Sequence, residues 1–262
     1  MYSIDRYEKL LRLGLRQGYV FKPFAESTIP KHEKVIFLRH DIDYSPEIAV
    51  EFAQVNHACG IQGTFFFLMR SSIYNLFSDF AQSCIRKINL LNQRVGLHVY
   101  LPDLKIKTSN ELIRFVQGEF ELFKKVVPFA DPVFSWHNPG QIPGLIQNNA
   151  DITIPGLINA YSRYFFEQVK YVSDSDLRYS VDELEAILYG GYTRLQLLFH
   201  PFEWVCGDTD MIGVIARTWK WIIRGCETGV LQNKVYRKHF PEGIPEAIIH
   251  QFVDAVKNAK SS

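Results

Sequence analysis

Long apolar runs, paired cysteines and a surplus of charge of either sign are all missing from this chain. No apolar stretch approaches the roughly 20 residues that a membrane-spanning helix requires, so a transmembrane span is not expected. The four cysteines, Cys59, Cys84, Cys206 and Cys226, are scattered over 262 residues with no CxxC pair. That spacing speaks against a zinc ribbon or a disulfide scaffold, and reduced, mostly buried thiols are expected. Charge is balanced, 29 basic against 28 acidic residues. Such a chain projects no long-range field to attract a polyanion, so nucleic acid is not an expected partner. The first residues, Met1 to Lys9, lack the apolar core of a signal peptide, which makes a cytoplasmic location the expectation. Neither a Gly/Ser/Pro-rich linker nor a low-complexity tract divides the chain, so one domain is expected over 1–262.

What is present is an alternation of helical and strand patterns. Apolar residues recur at helical spacing from Ile4 to Leu15, with Gly18 as the stop. Val35-Ile36-Phe37-Leu38 reads as a buried strand ending at His40-Asp41. Ser45 caps the next helix, Pro46 occupies its first position, and the pattern runs to Ala58. Further strands are expected at Thr64–Leu68, Val95–Tyr100, Val133–Trp136, Lys170–Val172 and Leu195–Phe199. Helices are expected around Phe77–Leu91, at Glu111–Val126 behind a Ser109 cap, and at Asp182–Tyr189, Asp210–Thr228 and Pro245–Ala259. The stretch from Gln141 to Phe166 carries no clear pattern. The alternation implies an α/β fold with a mainly parallel sheet, an N-terminal helix (about 3–18) and C-terminal helices (about 208–259) packing on it.

Five polar residues lie at or just beyond strand C-termini: Asp41, Asp43, His98, His137 and His200. In barrel-like α/β folds those ends face one mouth, so residues distant in sequence converge there. Asp41 and Asp43, two apart on a strand, point to the same side and need a cation, a proton or a basic partner between them. A divalent metal held by one carboxylate, with the other left as a base, meets that need. Taken jointly, an Asp/His/His set suits zinc or a similar first-row metal with a position open to water. Read singly, each residue has an ordinary structural role open to it: Asp43 as a turn residue, each histidine as a hydrogen-bonded core residue. His40 points to the opposite side of the strand and is expected to support the site indirectly. Asp174, after another strand end, either orients a histidine or caps a turn. The aromatics Tyr44, Tyr100, Trp136 and Trp204 flank these motifs and either stack on a sugar face or fill the core; Asn138 is placed with them as a substrate contact.

The order of motifs resembles the polysaccharide deacetylase family, also known as the NodB-homology or carbohydrate esterase family 4 group. Within it, the chain looks like the divergent branch associated with surface-polysaccharide and O-antigen biosynthesis. The matching pieces are Leu38-Arg39-His40-Asp41-Ile42-Asp43, Gly63-Thr64-Phe65-Phe66-Phe67, Gly96-Leu97-His98, Ser135-Trp136-His137-Asn138-Pro139 and Leu198-Phe199-His200-Pro201. The resemblance implies a distorted (β/α) barrel with fewer than eight strands. It also implies hydrolytic removal of an N-acetyl group from a sugar or polysaccharide precursor; the expected cytoplasmic location, where finished cell-wall polymer is not met, makes a nucleotide-linked or lipid-linked sugar the expected substrate. Asp41 matches the general base, Asp43 the metal-binding carboxylate, His98 the first histidine of a His-x-x-x-His metal motif, and His200 the general acid. The implied metal is zinc, with cobalt, nickel or manganese as alternatives. The chain departs from the pattern at Pro102, where the second histidine would fall, and His137 is the candidate replacement. It departs again where the arginine-bearing third motif is replaced by Trp136-His137-Asn138-Pro139. A barrel that kept the cleft but lost catalysis, serving as a carbohydrate-binding or assembly protein, is the alternative, as is a different metal-dependent amide or ester hydrolase.

Overall fold

The computed structural model describes residues 2–25, 32–101, 106–138, 152–205, 211–243 and 245–258. The elements in chain order are α1 (Ile4–Arg16), β1 (Val20–Phe21), β2 (Val35–Ile42), α2 (Pro46–Ala58), β3 (Thr64–Leu68), α3 (Asp79–Leu90), β4 (Arg94–Val99) and α4 (Ser109–Val126). They continue as β5 (Val133–Trp136), β6 (Ile158–Asn159), α5 (Arg163–Glu167), β7 (Lys170–Ser173), α6 (Val181–Tyr189), β8 (Arg194–Phe199) and α7 (Pro201–Val205). The C-terminal part is helical: α8 (Met211–Val230), α9 (Lys234–His239) and α10 (Glu246–Asn258).

Local chemistry accounts for the helix starts. Ser45 Oγ accepts from the Ile48 amide and Pro46 opens α2, a pairing of side-chain cap and fixed φ that needs no tertiary help. Ser180 and Glu183 form a reciprocal capping box at α6. The cap of α4 is Thr108 rather than Ser109, because Thr108 and Glu111 have the three-residue spacing of a capping box while Ser109 is already helical.

All strand pairings are parallel, and the sheet runs β6-β5-β4-β3-β2-β8-β7 with the two-residue β1 off this path beside β2. Seven strands on one path match the expected barrel of fewer than eight. The sheet curls until its two edges nearly meet. The rings of Tyr161, just past β6, and Tyr171 on β7 lie 6.1 Å apart. Gln196 of β8 donates to the Ala160 carbonyl at 3.2 Å. Among the described residues, side chains rather than backbone pairing bridge that gap.

The alternation of strand side chains divides β2 cleanly. Ile36, Leu38 and Ile42 join the large outer core shared with the helices. Val35 and Phe37 face inward and pack with Phe24, Phe66, Val133 and Phe165. Arg39 and Asp41 continue that inward row towards the open end. Gly96 has a packing reason on β4: a Cβ there would sit 2.7 Å from the Phe66 ring and 2.9 Å from Val133. The barrel floor is thus sealed by aromatic rings, and polar groups begin one layer above it.

Candidate metal centre

Strand C-termini place every candidate ligand. Asp43 follows the end of β2, His98 sits on β4, and His137 follows β5 with its amide tied to the Val99 carbonyl at 2.8 Å. Asp43 Oδ1 lies 3.4 Å from His98 Nε2 and 3.2 Å from His137 Nδ1. The two histidine nitrogens are 3.2 Å apart. These three donor atoms form a nearly equilateral triangle. A tetrahedral ion at its usual zinc distances separates neighbouring ligand atoms by about 3.3–3.4 Å. Asp43 Oδ1 is moreover buried without a hydrogen-bond partner, the condition of an oxygen aimed at a cation. The residues present therefore fit a divalent metal. His98 Nδ1 lies 2.7 Å from Ser135 Oγ, an outer contact that leaves Nε2 free to face the ion when Nδ1 carries the proton.

A second cluster faces the first. His200 follows β8, and its Nδ1 lies 2.7 Å from Asp174 Oδ1. Asp174 Oδ2 accepts from the His200 amide and from Trp204 Nε1, both at 2.8 Å. With all these donors on it, Asp174 is a fixed carboxylate that sets the imidazole orientation. His200 Nε2 points back towards Asp43 Oδ2 at 4.0 Å.

Asp41 sits between the clusters, fully buried, with Oδ2 3.5 Å from His98 Nε2. Arg39 grips it from the same strand face: Nε donates to Oδ1 at 2.8 Å and an Nη to Oδ2 at 2.6 Å. The same Nη reaches the Tyr161 hydroxyl at 3.1 Å.

The charges follow from this packing. Burial disfavours the Asp41 carboxylate, but Arg39, then His98 and His200, outweigh it and lower its pKa. Burial likewise opposes Asp43, yet the close imidazoles of His137 and His98, with His200 beyond them, hold its pKa well below the usual carboxylate range. For His200, burial disfavours the cation, while Asp174, Asp43 and Asp41 more than compensate and push its pKa up to about 10. Glu203, buried beside Asp174, is pushed up to about 9 by burial and by that neighbouring carboxylate.

The structure thus brings together Asp41, Asp43, His98, His137, His200 and Asp174. Tyr100 lies beside them, its ring 5.7 Å from that of His137, and the Asn138 amide nitrogen is 3.1 Å from His137 Nε2. Tyr44, partly exposed, packs edge-on against Phe202 at 4.5 Å. Two predicted substrate contacts are elsewhere. Trp136 is 3% exposed and packs with Phe134 in the outer core, because its neighbours Ser135 and His137 take the inward positions. Trp204 is fully buried, stacked on Tyr2 at 4.3 Å, behind the Asp174–His200 pair rather than in the cleft. His40 lies on the outer face, 3.0 Å from the Tyr7 hydroxyl. Pro102 and Pro139 lie outside the described residues.

Sequence reasoning missed Arg39, Tyr161, Ser135 and Glu203. Arg39 was within reach: it shares strand parity with Asp41 and directly follows the apolar run Val35–Leu38. Ser135 shares parity with His137. Tyr161 had no signal, because nothing local says that the chain past β6 crosses to β2.

No protein-family model matches the chain, and no curated protein matches it. Among solved structures, it is similar to the chitin deacetylase of the fungal pathogen Colletotrichum lindemuthianum, at 15% identity and a TM-score of 0.41, covering 71% of this chain and 81% of that one. It is also similar to the catalytic domain of a peptidoglycan N-acetylglucosamine deacetylase from Eubacterium rectale, at 14% identity and a TM-score of 0.42, covering 78% and 91%. A third is the Xyl-CE4 domain of a multidomain xylanase from the hindgut metagenome of Trinervitermes trinervoides, at 14% identity and a TM-score of 0.41, covering 75% and 84%. The likeness is one of fold; the chemistry rests on the side chains described above.

Proposed function

We propose that the protein is a metal-dependent hydrolase that removes an N-acetyl group from a sugar or polysaccharide precursor, with zinc on Asp43, His98 and His137. The observation that carries this reading is the triangle of donor atoms with edges of 3.2–3.4 Å, set opposite the Asp174–His200 pair. A divalent ion there supplies Lewis acidity, polarising the acyl carbonyl and making a water more acidic.

The chain's own groups supply the proton transfers. Asp41, kept ionised and oriented by Arg39, accepts the proton of the attacking water. His200, held protonated by Asp174, donates from Nε2 to the departing amine. Tyr44, Tyr100 and Asn138 line the approach and are proposed to contact the sugar. A precursor in surface-polysaccharide assembly, linked to a nucleotide or a lipid, is the proposed substrate, and the cytoplasm the proposed compartment. Among the described residues no helix is long and apolar enough to cross a membrane.

The test combines elemental analysis with acetate release from a panel of N-acetylated sugars. Asp43→Ala and His137→Ala should lose the metal, whereas Asp41→Asn should keep it and lose turnover. Full activity in Asp41→Asn would sink the assignment. A second reading, a sugar-binding barrel without catalysis, is favoured by one observation: Arg39 engages both oxygens of Asp41, which weakens it as a base. Stoichiometric metal with no acetate release from any N-acetyl sugar would select that reading.

A further inference from the structure

A cavity of about 620 Å³ lies beside the metal centre, between α2, α3 and α8. It falls within the size range of small-molecule sites. Its walls are mainly apolar, including Ile48, Ile73, Ala81, Trp221 and Ile222, with Phe80 also lining it. Phe80 is 54% exposed and its neighbour Phe77 63%, so aromatic surface extends from the cavity to solvent. Polar groups that line it include Glu47, Asp79 and Arg224. The Arg224 guanidinium pairs with Glu227 and Glu246, and so supplies no bare charge to the cavity.

Two observations connect this cavity to the reaction and to a particular kind of ligand. First, its wall is continuous with the metal-bearing strand. Tyr44 lines it and directly follows Asp43, and Tyr74, another wall residue, donates its hydroxyl proton to the Ile42 carbonyl at 2.9 Å. Second, α8 places Gly225 and Gly229 on the cavity wall, one turn apart. A Cβ built on either meets nothing within 4 Å, and neither residue has a positive φ. Glycine weakens a helix, and neither crowding nor backbone geometry asks for it here. Both glycines are exposed, and at these two positions they leave the α8 side of the cavity without side chains.

We propose that this cavity binds a hydrocarbon chain, alkyl or isoprenyl, carried by the substrate whose polar head reaches the metal centre. The apolar walls suit such a chain, and Tyr44, which lines the cavity and directly follows Asp43, links it to the metal centre. The assignment of the chain to that substrate rests on the deacylase reading; the binding site itself does not.

The experiment measures binding to chelator-treated full-length protein by calorimetry, with three probes: dodecyl N-acetyl-β-glucosaminide, farnesyl phosphate and free N-acetylglucosamine. At least one of the two chain-bearing probes should bind about tenfold or more tighter than the free sugar, and the tighter of the two identifies the chain as alkyl or isoprenyl. Filling the cavity with Gly225→Leu and Gly229→Leu together should weaken that probe by about tenfold or more. Zinc content and Tm should be maintained, since leucine is the better helix former. Gly225→Ala, which adds little volume, should retain binding and checks that loss is not due to an altered helix. Equal binding of the chain-bearing probe to the filled variant and the wild type overturns the proposal, as does failure of both chain-bearing probes to outbind the sugar. If no N-acyl sugar is hydrolysed while chain binding still depends on the glycines, the deacylase reading fails and the cavity assignment stands.

Discussion

Replacing Asp174 with Asn tests the electrostatic core of the site. Burial alone would make His200 harder to protonate, and Asp174 leads the attractions that instead raise its pKa from 6.5 to about 10. A histidine whose folded pKa is raised contributes stability that is fully present below its unfolded value and lost as pH rises through the folded value. The window is therefore pH 6.5 to about 10. At about 1.36 kcal/mol per pKa unit, the whole contribution is on the order of 5 kcal/mol, of which Asp43 and Asp41 supply part. The assay is urea unfolding at several pH values across that window, on metal-free protein so that no cation offsets the carboxylates. Wild-type stability should fall through the window, and the Asp174→Asn variant should lose more than half of that slope. The variant should also be less stable near neutral pH, because it gives up the Asp174–His200 ion pair: with the amide oxygen kept on the His200 amide and Trp204 Nε1, the NH₂ faces His200 Nδ1 and favours the neutral ring. An unchanged slope, or a His200 ring that NMR shows titrating near 6.5 in the wild type, would refute the reasoning.

Other perturbations address separate parts of the molecule. Arg39→Met should destabilise the fold by about 3–5 kcal/mol, because it strands the buried Asp41 carboxylate, and Arg39→Met with Asp41→Asn should cost less than the single change; chemical denaturation reads both. Gly96→Ala should lower stability by about 1–3 kcal/mol through overpacking against Phe66 and Val133, seen as a lower Tm. Burial pushes the His40 pKa down to about 3, so wild-type stability should fall as pH drops from 6.5 towards 3, and His40→Phe should flatten that acid limb in urea titrations. His137→Ala should lower zinc affinity by at least tenfold in a chelator competition, with about the same Tm for the metal-free protein.

The helices and strands were legible because their signals are local. The Ser45-Pro46 start, the apolar run Val35–Leu38 and the Phe65–Phe67 strand depend on caps, fixed φ and side-chain period, all set by neighbours in sequence. The convergence of Asp41, Asp43, His98, His137 and His200 was legible as well, since parallel strands put their C-termini at one end. The pieces that escaped were short or depended on distant partners: β6 and α5 lie in a stretch with no period, and α7 and α9 are five- and six-residue helices.

Sequence by itself determined the α/β class, the strand ends that carry the polar residues, and the inward parity of Asp41 relative to His40. Parity is a property of the extended chain and needs no partner. Tertiary structure alone decided which atoms meet: the triangle of Asp43, His98 and His137, the grip of Arg39 on Asp41, and the burial of Trp136 and Trp204 away from the cleft. Those outcomes depend on how far the sheet curls and on which face each helix covers, and both are set by packing among residues far apart in the chain.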